Sequence, residues 1–179
     1  MATDEDLIKL IKEGSKDEKD RAFAVLYDKY KNFVYDFGRT MGIPRDLCSD
    51  FLQNVFLRVF EKIYKFKDDK EFFPWLFSLV RNECINFIKK NKKRIRSYSQ
   101  HEEFESISKK PEDEDAILIE EIRKFLNQLP YEEKEAIFLR YYQDFDAKEI
   151  AKILNVSERK VYILIERGIE KIRKHLGLT

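Results

Sequence analysis

The sequence predicts an all-α protein: two small helical domains joined by a flexible acidic linker, the second containing a helix-turn-helix. Three observations point there. Only five Gly and four Pro occur in 179 residues, too few for the tight turns of a sandwich or barrel. Apolar side chains recur at three- and four-residue spacing along most of the chain. The charges, nearly balanced overall at +1, are segregated by region.

Apolar residues make up 43% of the chain and include 15 Phe and 9 Tyr, enough to build cores despite a charged fraction of 39%. That composition excludes a wholly disordered or fibrous chain. Met1 to Lys9 carries Asp4, Glu5 and Asp6 and has no apolar run of signal-peptide length. No run of about eighteen apolar residues occurs, so no membrane insertion is expected and the cytoplasm is the expected setting. Cys48 and Cys84 each lie within an apolar helical pattern, as small buried hydrophobes of a reducing compartment would.

Residues 1–20, an N-terminal acidic segment, hold four basic and seven acidic side chains. Residues 21–96 hold seventeen basic and nine acidic, net +8, and end on the block Lys89, Lys90, Lys92, Lys93, Arg94 and Arg96. Residues 97–115, SYSQHEEFESISKKPEDED, hold two basic and seven acidic with no sustained periodicity, the composition of a linker. Residues 116–179 hold twelve basic and eleven acidic. The acidic linker reads as a hydrated spacer, or as a mimic of nucleic acid that occupies a basic groove.

In the first domain the spacing predicts a helix from Arg21 to Thr40, with Phe23, Leu26, Tyr27, Tyr30, Phe33, Val34 and Phe37 on one side. Gly42-Ile43-Pro44 ends it, and a second helix from about Asp46 carries Leu47, Phe51, Val55, Val59 and Ile63. The two are expected to pack antiparallel. Lys65 to Phe73 loses the period and reads as an exposed loop. Pro74 suits the first turn of a third helix with the stripe Leu76, Leu79, Val80, Cys84, Phe87 and Ile88.

In the second domain a short helix through Ile119, Ile122, Leu126 and Leu129 stops at Pro130, which opens another with Glu132 and Glu133 in its first turn. From Ala147 to Val161 the residues spell a helix, a turn and a new helix. Small Ala151 permits close approach, Asn155 tolerates a left-handed turn, Ser157 caps, and Val156, Val161 and Ile165 face inward. That register is a helix-turn-helix, whose bland alternative is a helical bundle without DNA function.

With these residues in view, the chain resembles the two-domain RNA polymerase sigma factors of the extracytoplasmic-function (ECF) group of the sigma-70 family. AFAVLYDKYKNFVYDF is similar to the family's first conserved helix, and SDFLQNVFLRVF to its polymerase-binding helix, with Asp50 and Gln53 in the matching places. FPWLFSLVRNECINFIKK resembles the promoter-melting region, and the block from Leu126 to Leu176 the second DNA-reading domain. The resemblance implies a sigma factor that binds core RNA polymerase, directs it to promoters and promotes strand opening. It implies docking through Asp50, Gln53, Phe56, Leu57 and Arg58, and as further partners promoter DNA and an anti-sigma factor. It also implies a first domain on the melted minus-10 element, a linker near the active-site cleft and a second domain on the minus-35 element.

Single-stranded bases are held by aromatic faces and by cations that track phosphates. The candidates are Tyr64, Lys65, Phe66, Lys67, Lys70, Trp75, Arg81, Lys89, Lys90, Lys93 and Arg94, with the amides of Asn82 and Asn86 able to pair with base edges. The family usually has an acid at Asn86. Trp75, Phe72 and Phe73 also read as a core cluster at a helix start, and for Trp75 that is the favoured reading, since large aromatics are mostly buried.

On the recognition helix the candidates are Ser157, Arg159, Lys160, Tyr162, Ile163, Glu166 and Arg167. Glu166 and Ile163 suit DNA poorly. An adaptor is the alternative, with an exposed Tyr162-Ile163-Leu164 ridge docking on another DNA-bound protein that supplies part of promoter selection. No phosphate-loop, nucleophile-elbow or zincin motif occurs, and His101 and His175 lack partners at ligand spacing. No enzyme activity, cofactor or metal is expected. Asp144 and Asp146 suit turn and cap roles.

Overall fold

A computed structural model describes residues 2–67, 69–108, 122 and 125–178. Among these residues the fold is all-helical, as expected. Helix α1 spans Asp4–Glu13, α2 Lys16–Thr40, α3 Arg45–Lys62 followed by a 3-10 turn Ile63–Lys65, α4 Phe72–Lys90 and α5 Lys92–Ser108. After Pro130 come α6 Tyr131–Tyr141, α7 Ala147–Leu154 and α8 Glu158–His175. No described helix is long and apolar enough to cross a membrane.

The N-terminal acidic segment folds, which the charge count did not anticipate. Thr3 and Ser15 each open a helix with a reciprocal capping box, Thr3 with Asp6 and Ser15 with Glu18. Hydrogen bonding to the cap holds the Asp6 and Glu18 carboxyls below their ordinary values. Leu7, Ile8 and Ile11 of α1 are buried against α2, and the Tyr30 hydroxyl donates to Asp4 at 2.5 Å. Helix α2 therefore starts at Lys16, five residues before the predicted start at Arg21.

Helices α2 and α3 run antiparallel. Phe23, near the start of α2, meets Phe60, near the end of α3, at 5.3 Å between ring centroids. At the other end a Cβ on Gly38 would stand 2.7 Å from the Phe51 ring. Helix α4 begins at Phe72, so Pro74 falls within the first turn, where its missing N–H costs nothing. Asn91 ends α4, and α5 carries helical backbone to Ser108. The helix thus claims residues 97–108 of the expected linker; residues 109–115, and Ile119 beyond them, lie outside the described residues.

The helix-turn-helix forms as its residues dictate. Asp146 caps α7 in a capping box with Glu149, Asn155 takes the left-handed conformation at φ 54°, and the Ser157 hydroxyl accepts from Lys160 N–H to open α8. Asp144 also turns left-handed, at φ 55°. One apolar core runs through both halves of the chain: Phe138 and Leu139 of α6, Ile150 of α7 and Val161 of α8 join the cluster built by α1 to α4. A smaller cluster of Leu126, Leu129 and Ile137 takes in Ile122, Phe125 and Ile172.

Candidate nucleic-acid and protein interfaces

Helix α4 has two working edges. Ser78, Asn82, Asn86, Lys89 and Lys90 recur at helical spacing, all exposed, and Lys93 and Arg94 continue the cationic surface onto α5. Amides on one turn and ammonium groups on the next can take base edges and phosphates of one strand. The opposite edge turns inward. Arg81 lies there, its Nε 2.7 Å from the Glu135 carboxylate of α6.

The segment before α4 separates cations from rings. Lys65, Lys67 and Lys70 are exposed, and Tyr64 is half-exposed with Lys19 Nζ 5.7 Å from its ring centroid. Phe66 is 5% exposed, packed edge-on against Phe72 at 5.7 Å and against Trp75 at 5.1 Å. The exposed-loop expectation fails for Phe66 and Phe72, because their rings close the gap between the 3-10 turn and α4. Lys12 Nζ holds the Phe66 carbonyl at 2.7 Å. Phe66 is therefore withdrawn as a base-stacking ring, and Trp75 is half-buried in the same cluster.

Along α3 the residues Asp50, Gln53, Leu57 and Arg58 are exposed on one face, Leu57 at 55%. Phe56 is corrected: it is 5% exposed and packs against Tyr27 at 4.6 Å and Phe23 at 6.4 Å, so it supports the face from below. Arg58 spans to α4, with Nε 3.0 Å from Glu83 and Nη1 2.9 Å from Glu61, and these carboxylates raise its pKa. The sequence reading missed Phe60, which is half-exposed and continues the stripe toward Tyr64. The signal was the alternating three-four spacing of Asp50, Gln53, Leu57, Phe60 and Tyr64.

On α8, Arg159, Tyr162, Glu166 and Arg167 are exposed, whereas Lys160 is half-buried with Nζ 3.5 Å from Glu132. The expected ridge does not form: Leu164 is buried and Ile163 half-buried, because α8 turns them onto the core. Tyr162 alone of the three is prominent, 62% exposed. It borders a groove of about 670 Å³ lined also by Ile165, Glu166, Ile169, Glu170 and Arg173.

Residues 26–94 match the profile of sigma-70 region 2, and residues 119–172 that of sigma-70 region 4. The chain belongs to the sigma-70 family. Among its relatives, this sigma factor is 28% identical over 150 residues to the ECF RNA polymerase sigma factor SigM of Bacillus subtilis, covering 83% of this chain and 91% of that one. It is 29% identical over 186 residues to SigW of the same organism, covering 94% of each. Its fold is shared with CnrH in complex with the cytosolic domain of CnrY, at a TM-score of 0.67 and 21% identity over 97% of each chain. RpoE bound to the anti-sigma factor NepR from Bartonella quintana gives a TM-score of 0.60 at 20% identity, covering 92% of this chain and 99% of that one. In this sigma factor the cationic edge of α4 and the exposed face of α3 both belong to region 2, and the Arg81–Glu135 contact joins region 2 to region 4.

Proposed function

We infer that this ECF sigma factor binds core RNA polymerase, directs it to promoters and promotes strand opening. The observation that carries the assignment of sites is the pair of faces on region 2. One is an exposed stripe on α3 suited to a protein partner; the other is the exposed amide and ammonium edge of α4 suited to an unpaired strand.

We assign polymerase docking to Asp50, Gln53, Leu57 and Arg58, extended by Phe60. Minus-10 contact falls to Tyr64, Lys65, Lys67, Lys70, Asn82, Asn86, Lys89, Lys90, Lys93 and Arg94, and to Arg81 and the rim of Trp75 when these are accessible. Minus-35 contact falls to Ser157, Arg159, Lys160, Tyr162 and Arg167 on α8. We place the two domains at 21–96, with α1 and the first turn of α2 packed onto the first, and at 116–179. The factor works as a cytoplasmic, non-enzymatic subunit, and polymerisation chemistry belongs to its partner. The adaptor alternative loses support with Leu164 buried, since the Tyr162-Ile163-Leu164 ridge on which it rested does not form.

The test is run-off transcription with purified core polymerase on a fragmented genomic library. Sequence-selective initiation by the two components is the expected result. Initiation that requires a third, DNA-bound protein would return the adaptor reading, and no association with core polymerase would overturn both.

A further inference from the structure

Helix α1 and residues 16–25 of α2 precede the match to sigma-70 region 2, which starts at Leu26. They nevertheless reach the segment that joins α3 to α4. Phe66, which follows the 3-10 turn, has extended backbone at φ −65° and ψ 133°, so its carbonyl leaves the helical ladder and needs a donor from elsewhere. Lys12 of α1 supplies it, with Nζ 2.7 Å from the carbonyl oxygen across 54 positions of sequence. The same half-buried ammonium lies 5.7 Å from the centroid of the Phe66 ring.

That ring also packs on Phe72 and Trp75 at the start of α4, so the backbone and the ring of Phe66 are fixed by different helices. Tyr64 is held in a similar way. Lys19 of α2 stands 5.7 Å from its ring centroid, and Phe60 meets it edge-on at 6.3 Å. Further on, the Lys70 N–H closes a turn onto the Lys67 carbonyl at 3.1 Å.

We propose that α1 positions the strand-reading segment, with Lys12 as the positioning residue: through the Phe66 carbonyl it holds Tyr64, Lys65, Lys67 and Lys70 in the arrangement that captures the unpaired promoter strand. The proposal rests on the function proposed above. The segment lacks an apolar period, so burial alone fixes few of its residues. Backbone that must be ordered during capture lowers affinity, and backbone ordered beforehand does not. When only a fraction of chains hold the competent arrangement, apparent affinity falls by that fraction. Beside Lys12 a groove of about 330 Å³, lined also by Glu5, Ile8, Lys9 and Glu13, leaves room for a larger guanidinium.

The test uses the full chain assembled with core polymerase, and a single-stranded oligonucleotide carrying the minus-10 element of a promoter recovered in the run-off experiment. Lys12→Met keeps the aliphatic stem and removes the donor. It is expected to weaken oligonucleotide binding about tenfold, the effect of one hydrogen bond from a charged donor. Core-polymerase affinity and the salt dependence of oligonucleotide binding are expected to stay at wild-type values, because every cation assigned to phosphate is still present. Lys12→Arg, whose guanidinium can donate to the same carbonyl, is expected to restore binding.

Undiminished binding in Lys12→Met, or no restoration in Lys12→Arg, overturns the positioning role. A salt slope that falls by about one in Lys12→Met makes Lys12 a phosphate contact and overturns it too. So does an equal loss of polymerase affinity, which makes α1 a scaffold for the whole domain. A wild-type complex that holds no minus-10 strand overturns the proposed function along with it, whereas capture that is indifferent to Lys12 leaves that function standing.

Discussion

The Asp50 carboxylate of α3 and the Arg94 guanidinium of α5 lie 3.3 Å apart, joining a residue assigned to polymerase docking to one assigned to the promoter strand. Both side chains are half-exposed, so the pair contributes little to folding. Its effect is on geometry, since it ties the basic block to the docking helix. Asp50→Asn is expected to leave thermal stability within ~0.5 kcal/mol of wild type while weakening association with core polymerase. Unfolding scans paired with a polymerase-binding titration check this, and a large loss of stability would reassign Asp50 to the scaffold.

Gly38→Ala sets two effects against each other. Ala is favoured over Gly inside a helix by about 1 kcal/mol. Here the added Cβ would stand 2.7 Å from the fully buried Phe51 ring, which has no room to swing away. Overpacking of this kind costs about 1–3 kcal/mol, so the net result is a destabilised chain. Chemical denaturation measures it; an increase in stability would mean that α2 and α3 can move apart.

At the turn of the helix-turn-helix, Asn155 sits at φ 54°. Asn155→Gly is expected to be neutral within a few tenths of a kcal/mol, while the β-branched Asn155→Val loses about 1–2 kcal/mol. The fraction of helix retained on heating distinguishes them. Equal effects of the two substitutions would show that the left-handed conformation is not required.

Burial pushes the Glu135 carboxyl from its ordinary 4.5 up to about 7, with Arg81 pulling it back. Glu132, Lys134, the Cys84 thiol and Tyr131 are its other titratable neighbours, and burial lifts Cys84 to about 12 so that it stays protonated. An acid raised in the folded state takes up a proton on folding, so this group favours the folded chain most below pH 4.5, loses that advantage as pH climbs to about 7, and adds no further pH dependence above that. Thermal unfolding is expected to show a smaller loss of stability between about pH 6 and pH 8 in Glu135→Gln than in the wild type. The same pH dependence in Glu135→Gln would assign the titration to another group.

Lys89 and Lys90 lie on the exposed edge of α4. If each neutralises one phosphate, replacing either by Ala should weaken the promoter complex of the assembled polymerase evenly across sequences. The slope of log affinity against log salt should fall by about one. Asn82→Ala is expected to change sequence preference instead and leave the slope alone. A salt series on matched promoters separates the two behaviours.

Much of the fold was legible because its signals are local. The cap at Ser157, the left-handed Asn155 and the small Ala151 act on residues within one or two turns, and each stands where its chemistry required. Helix α1 carries signals of the same local kind: Thr3 with Asp6, and Leu7, Ile8 and Ile11 at helical spacing, are a capping box and a buried stripe inside a segment whose net charge is acidic. The apolar period lapses between Lys65 and Phe73, and there the fates of individual rings could not be read off.

By itself the sequence determined the all-helical class, the helix-turn-helix, the cationic block and the membership those residues imply, because periodicity, capping and composition act between near neighbours. Only the tertiary structure decided that Phe66 and Phe56 are core. It also decided that Leu164 turns inward and that Arg81 answers to Glu135, 54 positions along the chain. Those outcomes depend on which helices meet. The free energy of burying a ring or pairing a charge is set by neighbours that distant segments supply, and no local pattern encodes them.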